Sequence, residues 1–248
     1  MLSALLAGPA GPGAAFGQAN QPVYPAYDGF TRNPDGTVTL AFGYFNHNAD
    51  PVTLPPGTNN QFAPDPLDRQ QPTRFLPGQH RFQCVVVMGP DFDGKLRWTL
   101  SYGGTTTSTS EKMLQYSWEL EEAGTREVMR GLDLKGAPRG VCLNRPPVVR
   151  VLGLAAGRGG RGLSVILPEE LRLFGSVEDE GLPREGTLSV AWKKISGPGT
   201  ISFSNPTAAR TRASFSAPGA YQLELSASDS QRESRVQVTV TVQPPPKD

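Results

Sequence analysis

The stretch WKKISGPGTISFSNPTAARTRASFSAPGAYQLELSASD, residues 192–229, alternates apolar and polar side chains and is interrupted at intervals by Gly and Pro. A period of two places successive side chains on opposite faces of an extended strand, and Gly-Pro and Asn-Pro pairs end such strands in turns. Ile201 with Phe203, Thr211 with Phe215, and Tyr221 with Leu223, Leu225 and Ala227 then fall on inward faces, joined by Leu188, Val190 and Trp192. The stretch predicts strands around an apolar core.

Working outward, strands are expected over residues 148–152, 163–167, 171–177, 188–195, 200–203, 210–215, 221–227 and 235–242. Short strands at this spacing read as a two-sheet antiparallel sandwich with Greek-key connections. Trp192 and Tyr221 stand where immunoglobulin-like domains keep a buried tryptophan and a corner tyrosine, and Leu223 stands in place of their second cysteine. Packing replaces the disulfide there, so the predicted core is Trp192, Phe203, Phe215, Tyr221 and Leu223.

Upstream, TVTLAFGYFN places Val38, Leu40, Phe42 and Tyr44 on one face of a half-buried strand, against Thr37, Thr39 and Ala41. HRFQCVVVM alternates Phe82, Cys84, Val86 and Met88 with Arg81, Gln83, Val85 and Val87, and KLRWTLSY puts Leu96, Trp98, Leu100 and Tyr102 together. The Pro-rich run 51–77 suits long connections and short edge strands. The expected organisation is all-β, two tandem antiparallel sandwiches: a leader over 1–19, a first domain over 20–112, a linker with a possible short helix over 113–145, a second domain over 146–243 and a tail over 244–248.

The 24 basic and 23 acidic residues among 248 leave a net charge of +1, which excludes an electrostatic pull toward nucleic acid or an anionic membrane. The apolar, small-residue leader ending Gly17-Gln18-Ala19 fits a signal peptide cleaved before Asn20, and no later run is long enough to insert into a membrane. Export makes a Cys84–Cys142 disulfide possible; the alternative is one buried and one exposed thiol. With His47 and His80 the sole histidines, no metal and no cofactor is expected.

LFGSVEDEGLP (173–183), WKKISGPGTISFSN (192–205), ASFSAPGAYQLELSASD (213–229) and VQVTVTV (236–242) together resemble bacterial polycystic-kidney-disease (PKD) type repeats, close to the variant of receptor-for-egg-jelly modules, over residues 144–243. The resemblance implies an immunoglobulin-like fold, an extracellular setting, protein or carbohydrate contacts and no shared catalytic residues. Glu180 and Ser230 depart from the pattern of the two acidic loops, so neither is expected to hold calcium. The first half resembles secreted bacterial β-sandwich domains that precede such repeats.

Gly157, Gly159 and Gly162 satisfy G-x-G-x-x-G, but a β run follows where a dinucleotide site needs a helix, so a hairpin loop is expected. Residues 91–94, Asp-Phe-Asp-Gly, read as a turn. Tyr24, Tyr27, Phe30, Phe45 and Phe62 fall in loops or on alternate faces; Tyr24, Tyr27, Phe45 and Phe62 are the candidate ligand contacts, with core filling as the competing reading. The expected function is an exported, non-enzymatic binding or adhesion protein meeting an extracellular or envelope protein or glycan. The alternatives are a structural spacer, or a hydrolase in the first domain served by His47 or His80.

Overall fold

In the computed structural model, residues 20–153 and 162–246 are described. The leader, Gly157 and Gly159 lie outside these residues. The first sandwich opposes a sheet of β1 (Val23–Arg32), β2 (Val38–Asn46) and β6 (Gly78–Met88) to one of β4 (Asn60–Ala63), β7 (Arg97–Tyr102) and β8 (Thr105–Ser108), with β3 (Val52–Thr53) and β5 (Arg74–Phe75) paired beside them. Its core holds Phe30, Leu40, Phe42, Phe62, Phe75, Leu96, Trp98 and Leu100. Cys84 and Cys142 form a disulfide inside it.

Strand β2 is buried on both faces, contrary to the half-buried reading. The reason is the segment 113–145, which packs on the first sandwich where a linker was expected. Leu120 donates its N–H to Phe30 O at 2.8 Å, and α1 (Glu122–Val128) lays Val128 on Ala41 and Val85, capping the outer face of the sheet. The returning chain donates from Gly140 and Leu143 to Val87 and Val85 at 2.9 and 2.8 Å, extending the ladder of β6.

Two bulges break the alternation of this sheet. The β1–β2 register slips between Tyr27 and Gly29, the β2–β6 register between Phe42 and Tyr44. Phe82, at φ 57°, thereby leaves the face of Cys84 and joins Ala41 and Val85 on the other side. The Asp28 carboxylate occupies the gap, accepting from Phe82 N at 2.6 Å and Arg81 Nε at 3.0 Å, while a Cβ on Gly43 would lie 2.4 Å from His80 O. Asp28→Ala strips two donors of their acceptor, and an equilibrium denaturation midpoint should register a loss of about 1–3 kcal/mol.

The second sandwich contains β9 (Val148–Val151), β10 (Leu163–Ile166), β11 (Leu171–Glu178), β12 (Ser189–Ser196), β13 (Ile201–Phe203), β14 (Arg210–Phe215), β15 (Gly219–Ser228) and β16 (Glu233–Gln243). They form sheets ordered β10-β16-β15-β12 and β13-β14-β11-β9. One pair, β10 with β16, is parallel where an antiparallel fold was read. Tyr221 is fully buried and donates its hydroxyl to Ala217 O at 2.7 Å, closing a tyrosine corner; Trp192 Nε1 donates to Ala209 O at 3.1 Å. Leu223 and Phe215 are buried, and Phe203 is half-buried against Trp192 at the core margin. Leu188 lies just before β12, 43% exposed, outside the predicted core.

Candidate functional site at the domain junction

Two turns of the second sandwich reach the first. The turn after β11 inserts Leu182 into the first domain's core, where it is 3% exposed. Arg184, two residues on, forks onto Asp68 with Nη1 to Oδ2 at 2.9 Å and Nη2 to Oδ1 at 2.7 Å, and donates to Gln71 O. This bidentate pair holds the Asp68 carboxyl below its ordinary range. From the β15–β16 turn, Gln231 accepts from Asn144 Nδ2 at 3.2 Å and Arg232 donates to Gly131 O at 3.2 Å.

Arg145 is the centre of the junction. Its guanidinium, buried at 3% exposure, donates to Phe82 O in the bulge and, at 3.2 Å, to Glu127 O at the end of α1, while its backbone N–H donates to Glu180 Oε1. Burial pushes the Glu180 carboxyl up to about 7, against the opposing pull of Arg145, and lowers Arg145. Arginine does not give up its proton at neutral pH, so the pair holds a permanent buried cation beside a carboxyl that desolvation favours neutral.

A cavity flanks the acidic turn on either side. One, of about 400 Å³, lies among Gln79, Arg81, Glu127, Arg145, Arg150 and Glu178. The other, of about 510 Å³, lies among Tyr44, Leu76, Leu182, Arg184, Leu188 and Asp229. His80, Asp179 and Glu180 line both. His80 thus sits in a concave acidic setting, its ring stacked on Tyr44 with centroids 5.0 Å apart and Nε2 3.1 Å from Pro77 O. Among the described residues, neither cavity is lined by a serine or cysteine.

The candidate aromatics divide by face. Tyr27 and Phe62 are buried: Tyr27 donates its hydroxyl to Met113 O at 2.9 Å, and Phe62 stacks on Trp98 with centroids 5.7 Å apart. Phe30 is also core. These rings are occupied by packing, so the ligand-contact reading is corrected for Tyr27 and Phe62. Tyr24 and Phe45 face each other across β1 and β2, 37% and 36% exposed, with the exposed His47 ring 5.2 and 4.2 Å from theirs. Phe45 is also the partner of Gln79 on β6, so the row Tyr24–Phe45–Gln79 runs toward the smaller junction cavity. Tyr116 and Trp118, on the turn before α1, add exposed rings that the sequence reading passed over. Their signal was the polar, charged setting of QYSWELEE.

The turn lies one step earlier than read, closed by Phe92 N donating to Gly89 O at 3.2 Å; beyond it Asp93 Oδ1 accepts from Lys95 N at 3.0 Å, and among the described residues no group of three or more His, Cys, Asp or Glu is placed to hold a metal. No helix among them is long and apolar enough to cross a membrane.

Residues 159–242 match the family model described as K319L-like, PKD domain. The second sandwich is a PKD domain. Among solved structures, this chain is similar to the PKD domain of human KIAA0319 (21% identity, 46% of this chain and 95% of that one, TM-score 0.32). It is also similar to the PKD domain of the KIAA 1837 protein (20%, 36% and 86%, TM-score 0.27) and to a titin fragment, A168169 (12%, 88% and 98%, TM-score 0.29). These TM-scores are low; the architecture stands on the strand pairing, and the PKD assignment on the family match.

Proposed function

We propose that this is an exported, non-catalytic binding protein whose PKD domain is locked onto a first sandwich that presents the contact surface to an envelope protein or glycan. The observation that carries the reading is the uncovered half of the β1-β2-β6 face. The segment containing α1 covers the half around Ala41 and Val85, while Tyr24, Phe45 and His47 remain exposed. Exposed rings next to amide and guanidinium donors such as Gln79 and Arg81 suit either a sugar face with its hydroxyls or a protein anchor. The disulfide fits an oxidising compartment.

A glycan array and an envelope pull-down with the chain from Asn20 onward test this. The double variant Tyr24→Ala/Phe45→Ala should weaken capture about tenfold, each ring being worth about 0.5–1.5 kcal/mol. Both rings are partly exposed, so the fold should change little. Capture that survives the double substitution moves the contact elsewhere, and no capture at all favours a spacer.

The hydrolase reading has one observation in its favour, the acidic cavities around His80. Turnover by the wild type that disappears in His80→Ala would replace the binding reading.

A further inference from the structure

The two sheets of the PKD domain treat charge differently on their outer faces. Along β11 and β14, burial alternates so that Leu171, Leu173, Thr211 and Ala213 turn inward while Arg172, Phe174, Arg210 and Arg212 turn to solvent. The register sets Arg172 opposite Arg212 and Phe174 opposite Arg210. On the other side of β11, Arg150 is opposite Ser176, and Leu152 donates its N–H to Phe174 O at 2.9 Å, so that one row reads Arg210, Phe174, Leu152. Phe174 and Leu152 are 46% and 60% exposed. On the other sheet, by contrast, Lys193 is opposite Glu224, and Arg235 pairs with Glu233 and Glu224.

The two acids near the arginine face stand at its ends. Glu170 lies 3.7 Å from Arg212, and Glu178 accepts from Arg150 at 3.2 Å, both pairs in solvent. Between them, the guanidinium groups of Arg172 and Arg210 have no hydrogen bond or ion pair among the described residues. Like charges set directly opposite one another weaken a sheet, and a ring left in water adds little to the core. Stability therefore does not account for the arrangement.

We propose that this face of the PKD domain binds an anionic polysaccharide of the uronate type, its carboxylates held by Arg172 and Arg210 and a sugar ring laid on Phe174. The planar guanidinium fork matches a carboxylate with two parallel hydrogen bonds. Neighbouring strands lie about 5 Å apart, and residues on one face of a strand recur about every 7 Å, so a polymer with a carboxylate on every ring meets several arginines while lying flat. Phe174, in the middle, offers an apolar surface to the C–H face of a ring. Arg150 and Arg212 can exchange their exposed glutamates for the ligand at little cost, since such pairs are weak. A protein partner fits less well, because protein interfaces keep an apolar centre and move charge to the rim, whereas here charge surrounds a single ring. The net charge of +1 supplies no long-range pull, so the attraction acts at contact distance. This site is separate from the Tyr24–Phe45 surface of the first sandwich and does not depend on it.

Titration of the chain from Asn20 onward with polygalacturonate tests the proposal, with neutral dextran and polyglutamate as comparison polymers. The wild type should bind polygalacturonate and not dextran, and binding should weaken as salt rises from about 50 mM to about 500 mM. Arg172→Thr/Arg210→Thr should weaken it about tenfold. Threonine suits a strand, and the change removes a like-charge pair, so the denaturation midpoint should not fall. Phe174→Ser should weaken polygalacturonate binding about threefold. Absence of binding by the wild type overturns the proposal, as does binding that the arginine pair does not affect. Equal affinity for polyglutamate, with no effect of Phe174→Ser on either polymer, would make the partner an acidic peptide and overturn it too. Binding lost in Tyr24→Ala/Phe45→Ala but kept in the arginine variant would assign capture to the first sandwich, which overturns this site and leaves the earlier reading standing.

Discussion

Replacement of Arg145 by alanine should cost about 3–5 kcal/mol, the range for removing one partner of a buried charge pair. The guanidinium is the donor to Phe82 O and Glu127 O, and it is the cation facing Glu180. Alanine would leave those carbonyls short of donors and take the nearby positive charge from the buried carboxyl, which would keep only the backbone N–H of residue 145 as a donor. Arg145→Lys should recover only part of the loss, because a single ammonium cannot span a bulge carbonyl and a helix-end carbonyl as a planar fork does. Chemical denaturation of the variants, alone and with Glu180→Gln, measures the coupling. The cost of Arg145→Ala should shrink in the glutamine background, where no carboxylate is stranded. A loss under about 1 kcal/mol would mean that the guanidinium is not the keystone of the junction.

Removing the disulfide should have an effect of similar size on the first domain. Cys84 and Cys142 are separated by 58 positions, and closing a loop of that length restricts the unfolded chain by about 4 kcal/mol. The bond also ties the edge of β6 to the chain that returns over it, where Val86 and Cys142 are bridged. Paired Cys84→Ala and Cys142→Ala substitutions should lower exchange protection at β2 and β6 amides by several hundredfold or more. Amides of β15 and β16 should move far less, since no cysteine lies in the PKD domain. Equal losses in both domains would show that the two sandwiches unfold as one unit.

The strands of the second sandwich were legible because its inner and outer faces differ in polarity along each strand, as at Tyr221, Leu223 and Leu225 against Gln222 and Glu224. The same rule misled at β2. Thr39 and Ala41 are compatible with solvent, and nothing in their spacing announces that Val128, some 90 positions later, will cover Ala41. At Phe82 a bulge reversed the alternation, and its cause is a carboxylate on another strand, Asp28. Among the aromatics, alternation separates Tyr24 from Tyr27 but does not say which side is outside.

The candidate site was scarcely legible at all. Arg145 reads as one more charge before a proline pair, and Glu180 as a surface loop residue, yet each is buried against the other. Leu182 gives no local sign that it belongs to another domain's core. Residue order alone determined that this chain forms extended segments with apolar sides, since that depends on neighbours two positions apart. Only the assembled molecule decided where charges became buried and which rings stayed bare, because desolvation depends on whatever segment arrives from far along the chain.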